Sequence, residues 1–147
     1  MYDMSTILIC GAVDNFDAPF SWQKDLEEDE PYSRHEFINP YDIGDDVENP
    51  YENTAKIMEP VVEAIEERVD GVIVSWDDDV KLVGATVYMR DAHRLGIPIT
   101  VWYQGERDRM QIPVDWMCDS YHTDRDTSIR VLLSMTGDND ALIDTVP

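Results

Sequence analysis

Basic residues are scarce in this chain, as are cysteine and any long apolar run. Its 147 residues hold 11 lysines and arginines against 32 aspartates and glutamates, for a formal net charge of −21. A surface of that sign repels nucleic-acid phosphate and anionic lipid, so neither direct nucleic-acid binding nor membrane attachment is expected. The two cysteines, Cys10 and Cys118, are too few for a disulfide framework. Neither stands at a metal-ligand spacing, and both are expected to be buried thiols. No apolar stretch approaches the roughly 20 residues that span a bilayer, and the N-terminus lacks a basic segment leading into an apolar one. The expected location is cytoplasmic, or a virion if the protein is virally encoded.

Catalytic signatures are missing too. The dinucleotide glycine pattern is absent, as is the glycine-rich loop that ends in lysine and serine or threonine. A nucleoside triphosphatase and a nicotinamide enzyme are therefore not expected, and no cofactor is implied. His35, His93 and His122 show no zinc spacing, so no metal is implied either. Ser75 precedes Trp76 rather than sitting in a nucleophile elbow, which argues against an esterase.

What is present is a folded domain with an acidic coat. The acids are spread along the chain and interrupted by apolar segments, unlike a disordered acidic tail or one concentrated block mimicking nucleic acid. With only three lysines, this composition suggests adaptation to a salt-rich cytoplasm, where screening removes much of the self-repulsion. A halophilic microbe or its virus is the expected source, and residues 1–147 read as a single domain.

The apolar periodicity alternates between strand and helix. Residues 5–13 read as a buried first strand opening on a loop, and residues 20–29 as holding a short helix that starts near Ser21 and packs Trp22 and Leu26. A second short strand falls in residues 34–43, interrupted at Asn39-Pro40. A helix begins near Asn49-Pro50 and carries Ile57, Met58, Val61, Val62, Ile65 and Val69 at helical spacing, with a kink or restart expected at Pro60. "GVIVSW" is the clearest central strand. A helix over residues 83–95 leads through Gly96-Ile97-Pro98 into "ITVWY", a fifth strand is expected within "VDWMCDSY", and "RDTSIRVLLSM" closes as a helix. Such alternation predicts an α/β, flavodoxin-like three-layer sandwich with a five-stranded, mostly parallel sheet. Ligands bind such sheets outside the carboxyl ends of the strands, where the strand order reverses.

That rule points to three loops. Asp77, Asp78 and Asp79 follow the central strand, where a carboxylate can orient a base or a ribose hydroxyl or hold a magnesium ion bridged to phosphate; in so acidic a chain a solvated turn explains Asp78 and Asp79 equally well. Gly84 opens the next helix and permits close approach of a ligand to free amides, or is simply a turn residue. Asn39, Tyr41 and Asp42 cluster after the second strand and reach the same cleft, though an Asn-Pro turn also accounts for them. Phe16 and Trp22 can stack on a base or serve as packing area.

Four stretches carry a family resemblance: "ILICGAV", "FINPYD", "DGVIVSWDD" and, above all, "VGATVYMRDAHRLGIPITVW". From about Ile7 to Trp102 the chain resembles the nucleoside 2-deoxyribosyltransferases, flavodoxin-like and usually oligomeric proteins that exchange or hydrolyse the bond between deoxyribose and a nucleobase. The resemblance implies that Gly11, Asp14 and Asn15 help bind a nucleoside and that Asp77 handles the base. It also implies a homo-oligomer or other protein assembly. The family's catalytic segment is glycine-threonine, two variable residues and a nucleophilic glutamate. Here Gly84 is retained, Ala85 replaces the threonine and Tyr88 stands at the glutamate position. A neutral phenol, with a pKa near ~10, is a weak nucleophile at neutral pH. Leu82, near a position where many relatives carry another acid, does no acid–base work. Asp91, three residues after Tyr88, shares roughly its helical face but lies about one turn deeper, so it replaces the glutamate only with a shifted ligand or a displaced helix start.

Two functions follow. One is a noncatalytic relative of that family used for small-ligand binding or structural assembly. The alternative is an active nucleoside 2-deoxyribosyltransferase or nucleosidase, with Asp77 and Asp91 catalytic and Gly11, Asp14, Asn15, Asn39, Tyr41, Asp42, Asp77, Gly84 and Tyr88 around the substrate.

Overall fold

The computed structural model describes residues 4–11, 26, 28, 32–40, 52, 54–77, 82–106 and 110–136. Five strands form one sheet: β1 (Thr6–Gly11), β2 (Glu36–Ile38), β3 (Gly71–Trp76), β4 (Ile99–Tyr103) and β5 (Ser120–His122). Their spatial order is β2-β1-β3-β4-β5, and each neighbouring pair is parallel. This is the flavodoxin-like order, which reverses direction between β1 and β3. Among the described residues a 3-10 turn at Tyr32–Arg34 and four longer α-helices accompany the sheet: α1 (Thr54–Glu67), α2 (Val83–Arg94), α3 (Ile112–Met117) and α4 (Arg125–Met135).

The central strands are mostly apolar because both of their faces are covered. Every residue of β1 and β3 is buried. Leu8, Cys10, Val72, Val74, Trp76, Val101 and Tyr103 share a core with Val61, Ala64 and Ile65 of α1 and with Ala85, Tyr88, Met89 and Ala92 of α2. Ile7, Ile9 and Ile73 pack in a second core with Ile129, Leu132 and Leu133 of α4, and fully buried Leu26 joins them. Each such aliphatic side chain contributes about 1.5–3 kcal/mol when fully buried. Polar stitches join α4 to β4: the Thr100 hydroxyl donates to the Ser128 carbonyl at 3.0 Å, and the Ser128 hydroxyl donates to the Val101 carbonyl at 3.4 Å.

Two aspartates belong to the sheet rather than to the acidic coat. Thr6 N–H donates to Asp70 Oδ2 at 2.8 Å while Asp70 N–H donates to the Thr6 carbonyl at 2.8 Å. Ile99 N–H and Asp119 repeat the arrangement, at 2.7 and 2.8 Å. Each carboxylate thus satisfies an amide at the start of a strand that would otherwise be unpaired.

Several local expectations are adjusted. α1 runs through Pro60 without restarting; that residue is exposed, where the carbonyl it leaves unpaired can meet water. Part of the expected fifth strand is helical, with Val114–Met117 in α3 and pairing beginning only at Ser120. Gln111 and Pro113 explain the change: proline is suited to the first turn of a helix and donates nothing to a ladder. α2 ends as "LGIP" suggests, with Gly96 at φ +74°, its N–H on the His93 carbonyl at 3.1 Å and that of Ile97 on Ala92 at 2.9 Å.

Candidate functional site

The carboxyl ends of β1 and β3 meet at the point where the strand order reverses. Gly11 closes β1 opposite Ser75, and Trp76 closes β3 opposite Tyr103 of β4. Gly11 has φ +113°, and a β-carbon there would stand 2.1 Å from the Ser75 carbonyl oxygen. Glycine at this position is therefore required by the close packing of two strand ends, whatever else binds there. Ser75 is buried, and its hydroxyl accepts a hydrogen bond from the Gln104 side-chain amide just beyond β4. Gln104 N–H donates to the Trp76 carbonyl at 2.8 Å, extending the ladder past the last strand residue.

Asp77 is the first residue after β3 and is partly exposed, so its carboxylate stands at the rim of the switch point. Asn39, the first residue after β2, is buried with 4% of its surface exposed. Asp14, Asn15, Tyr41 and Asp42 lie outside the described residues, as do Asp78, Asp79, Phe16 and Trp22.

α2 starts near the same edge and runs back toward the amino ends of the strands, as a crossover between parallel strands must. Gly84 is exposed, and among the described residues a β-carbon on it would meet nothing within 4 Å. The packing of the described residues therefore does not demand glycine there. Leu82, just ahead of α2, is 9% exposed and is part of the core. Tyr88 is 4% exposed, and its hydroxyl donates to the sulfur of Met58 on α1 at 3.3 Å. Position 88 thus packs one helix on another. Asp91 is partly exposed and lies three residues further along, about 4.5 Å more distant from the carboxyl edge at 1.5 Å per residue. The two positions share a side of the helix but not a depth.

The His93 ring meets the exposed ring of Trp116 at a tilt of 55°, with centroids 4.4 Å apart, and is part of a surface cluster of α2 and α3 rather than of this edge. Cys10, behind Gly11, is buried, and burial pushes its thiol up to about 12. It is protonated at neutral pH and is not a nucleophile. Among the described residues no group of three or more histidine, cysteine, aspartate or glutamate side chains is placed to hold a metal ion, and no helix is long and apolar enough to cross a membrane.

Two elements of this edge were not singled out from the sequence: the Ser75–Gln104 pair and the ring of Trp76. The signal for Trp76 was available, since alternation along β3 puts Val72, Val74 and Trp76 on one face and makes the tryptophan the last residue of the strand at the switch point.

No protein-family model matches the chain, and no curated protein matches it. Solved structures do. A 2-deoxyribosyltransferase from the psychrotolerant bacterium Bacillus psychrosaccharolyticus, described as a biocatalyst for the synthesis of antiviral and antitumoral nucleosides, superposes with a TM-score of 0.65. The match covers 82% of this chain and 87% of that one at 15% sequence identity. The two proteins share a fold along most of their lengths.

Proposed function

We propose that this chain binds a 2′-deoxynucleoside at the carboxyl edge of β1 and β3 and acts on its N-glycosidic bond. The observation that carries the reading is the fold likeness to a 2-deoxyribosyltransferase over 82% of the chain, combined with Asp77 at the end of the central strand. In this reading Asp77 orients the nucleobase, as a carboxylate beside a switch point is suited to do. Gly84 leaves the first turn of α2 open to the sugar, and Gly11, Asp14, Asn15, Asn39, Tyr41 and Asp42 are the further residues this reading assigns to the nucleoside. The attacking carboxylate is Asp91 or an acid from a second copy of the chain in a homo-oligomer. An active Asp91 requires the sugar to sit deeper along α2 than a nucleophile at position 88 would hold it.

A second reading is favoured by one specific observation, the burial of Tyr88 against Met58. With a neutral, hydrogen-bonded phenol where a nucleophile would stand, the cleft binds a nucleoside without turning it over, or serves an assembly.

Base release from a panel of deoxynucleosides, with and without an acceptor base, separates the two. The assay belongs in molar potassium chloride, because at low salt the −21 net charge works against the compact state. Turnover that disappears in Asp77→Asn or Asp91→Asn supports the enzyme and locates its carboxylate. Saturable binding with no base release supports binding without turnover, and the absence of both eliminates the two nucleoside readings and leaves assembly.

A further inference from the structure

Trp76 closes β3 at the reversal of strand order, on the face it shares with Leu82, Ala85, Tyr103 and Met110. Its side chain is 7% exposed, and its ring Nε1 is shut off from solvent with no hydrogen-bond acceptor among the described residues. The rest of its polar surroundings are satisfied: the Trp76 carbonyl accepts from Gln104 N–H at 2.8 Å, and the neighbouring Ser75 hydroxyl accepts from the Gln104 side chain. An indole N–H is a donor only, fixed in the plane of a ring that packing holds in place, so it cannot turn to find another partner. Buried donors are paired in the great majority of cases, and an exception calls for a specific reason. This one lies where an open parallel sheet binds its ligands.

We infer that the Trp76 indole N–H is a ligand-reading donor, pairing with an acceptor atom of the nucleoside bound at the carboxyl edge. The inference rests on the nucleoside reading above. It makes Trp76 a specificity-determining residue: a carbonyl oxygen or ring nitrogen facing Nε1 satisfies it, whereas an amino group in the same place sets donor against donor.

The test uses the full chain, labelled with nitrogen-15, in molar potassium chloride, with 2′-deoxyadenosine and thymidine as the probes. Four tryptophans give four indole resonances, and that of Trp76 is the one missing from Trp76→Phe. If the variant does not fold, backbone-linked assignment in the natural chain identifies the same signal. The expected result is that at least one of the two nucleosides moves the Trp76 indole proton downfield and slows its exchange with water, and that Trp76→Phe weakens binding about three- to tenfold, the worth of one hydrogen bond. A purely structural tryptophan would lower the melting temperature on substitution but leave the indole signal indifferent to ligand. Nucleoside-induced shifts elsewhere, with the Trp76 signal unmoved, overturn this inference and leave the proposed function standing. No shift anywhere in the spectrum overturns the nucleoside reading itself, and this inference with it.

Discussion

The hydroxyl of Tyr88 donates to the sulfur of Met58 at 3.3 Å, joining α2 to α1 across the core that covers one face of the sheet. The position where the resemblance places a nucleophilic carboxylate is occupied by a side chain with 4% of its surface exposed. Two substitutions separate its packing role from any chemical one. Tyr88→Phe removes only a hydrogen bond to a weak acceptor, and the expected loss is within about 1 kcal/mol by denaturant unfolding. Tyr88→Glu puts a carboxylate in the same enclosed space, and the expected cost is about 3–5 kcal/mol if it stays ionised and unpaired. Base release gained by the glutamate variant in spite of that cost would mean that a nucleoside reaches position 88.

Gly11→Ala is expected to destabilise the protein by at least about 2 kcal/mol. The substituted residue would need φ +113°, and its β-carbon would stand 2.1 Å from the Ser75 carbonyl oxygen, so β1 and β3 would have to separate at the switch point. Thermal unfolding measures the loss. A variant as stable as the natural chain would contradict this packing.

Gly84→Ala is expected to behave in the opposite way. The site is open and α2 gains a better helix former, so stability should hold or rise by up to about 1 kcal/mol. If the first turn of α2 receives the sugar, the same variant loses nucleoside affinity while its melting temperature is maintained. Unchanged affinity would remove Gly84 from the site.

Asp124 caps α4. Its carboxylate accepts from Thr127 N–H at 2.8 Å and from the Thr127 hydroxyl at 2.9 Å. The backbone hydrogen bond, with the hydroxyl second, holds its pKa below the ordinary 3.8. A depressed folded value means that the stabilisation is fully present above the unfolded carboxylate range and is lost as pH falls through the lower folded value. Asp124→Ala should cost about 1 kcal/mol at neutral pH, and Asp124→Asn should restore most of it. The difference between aspartate and alanine, followed by unfolding at a series of pH values, should narrow only below about pH 4.

The two thiols should resist labelling in the folded state. Burial pushes Cys10 up to about 12, while burial and the nearby carboxylates of Asp115 and Asp119 push Cys118 to about 11. At pH 8 in molar salt, a disulfide reagent should modify Cys118 slowly and Cys10 only on unfolding, with both reacting at once in denaturant. Rapid modification of Cys10 in the folded protein would show that the β1 end opens.

Local pattern was enough to determine the layered fold, because strands buried on both faces must be mostly apolar and helices covering them must show a 3.6-residue period. β3, α2, β4 and α4 follow "GVIVSW", the Val83–Arg94 stretch, "ITVWY" and "RDTSIRVLLSM" closely for that reason. Short elements were less legible. Three-residue β5 has no period of its own, and its place beside β4 is set by pairing and by the Ile99–Asp119 exchange rather than by composition. The candidate site divides in the same way. The sequence alone determined that an aspartate follows the central strand and that a tyrosine stands where the resemblance calls for a glutamate. Only the tertiary structure decided that Tyr88 is enclosed against Met58, that Gly11 is held by Ser75 and that the indole N–H of Trp76 faces no acceptor among the described residues. Each depends on atoms brought together from distant parts of the chain, and no spacing along one segment encodes such a contact.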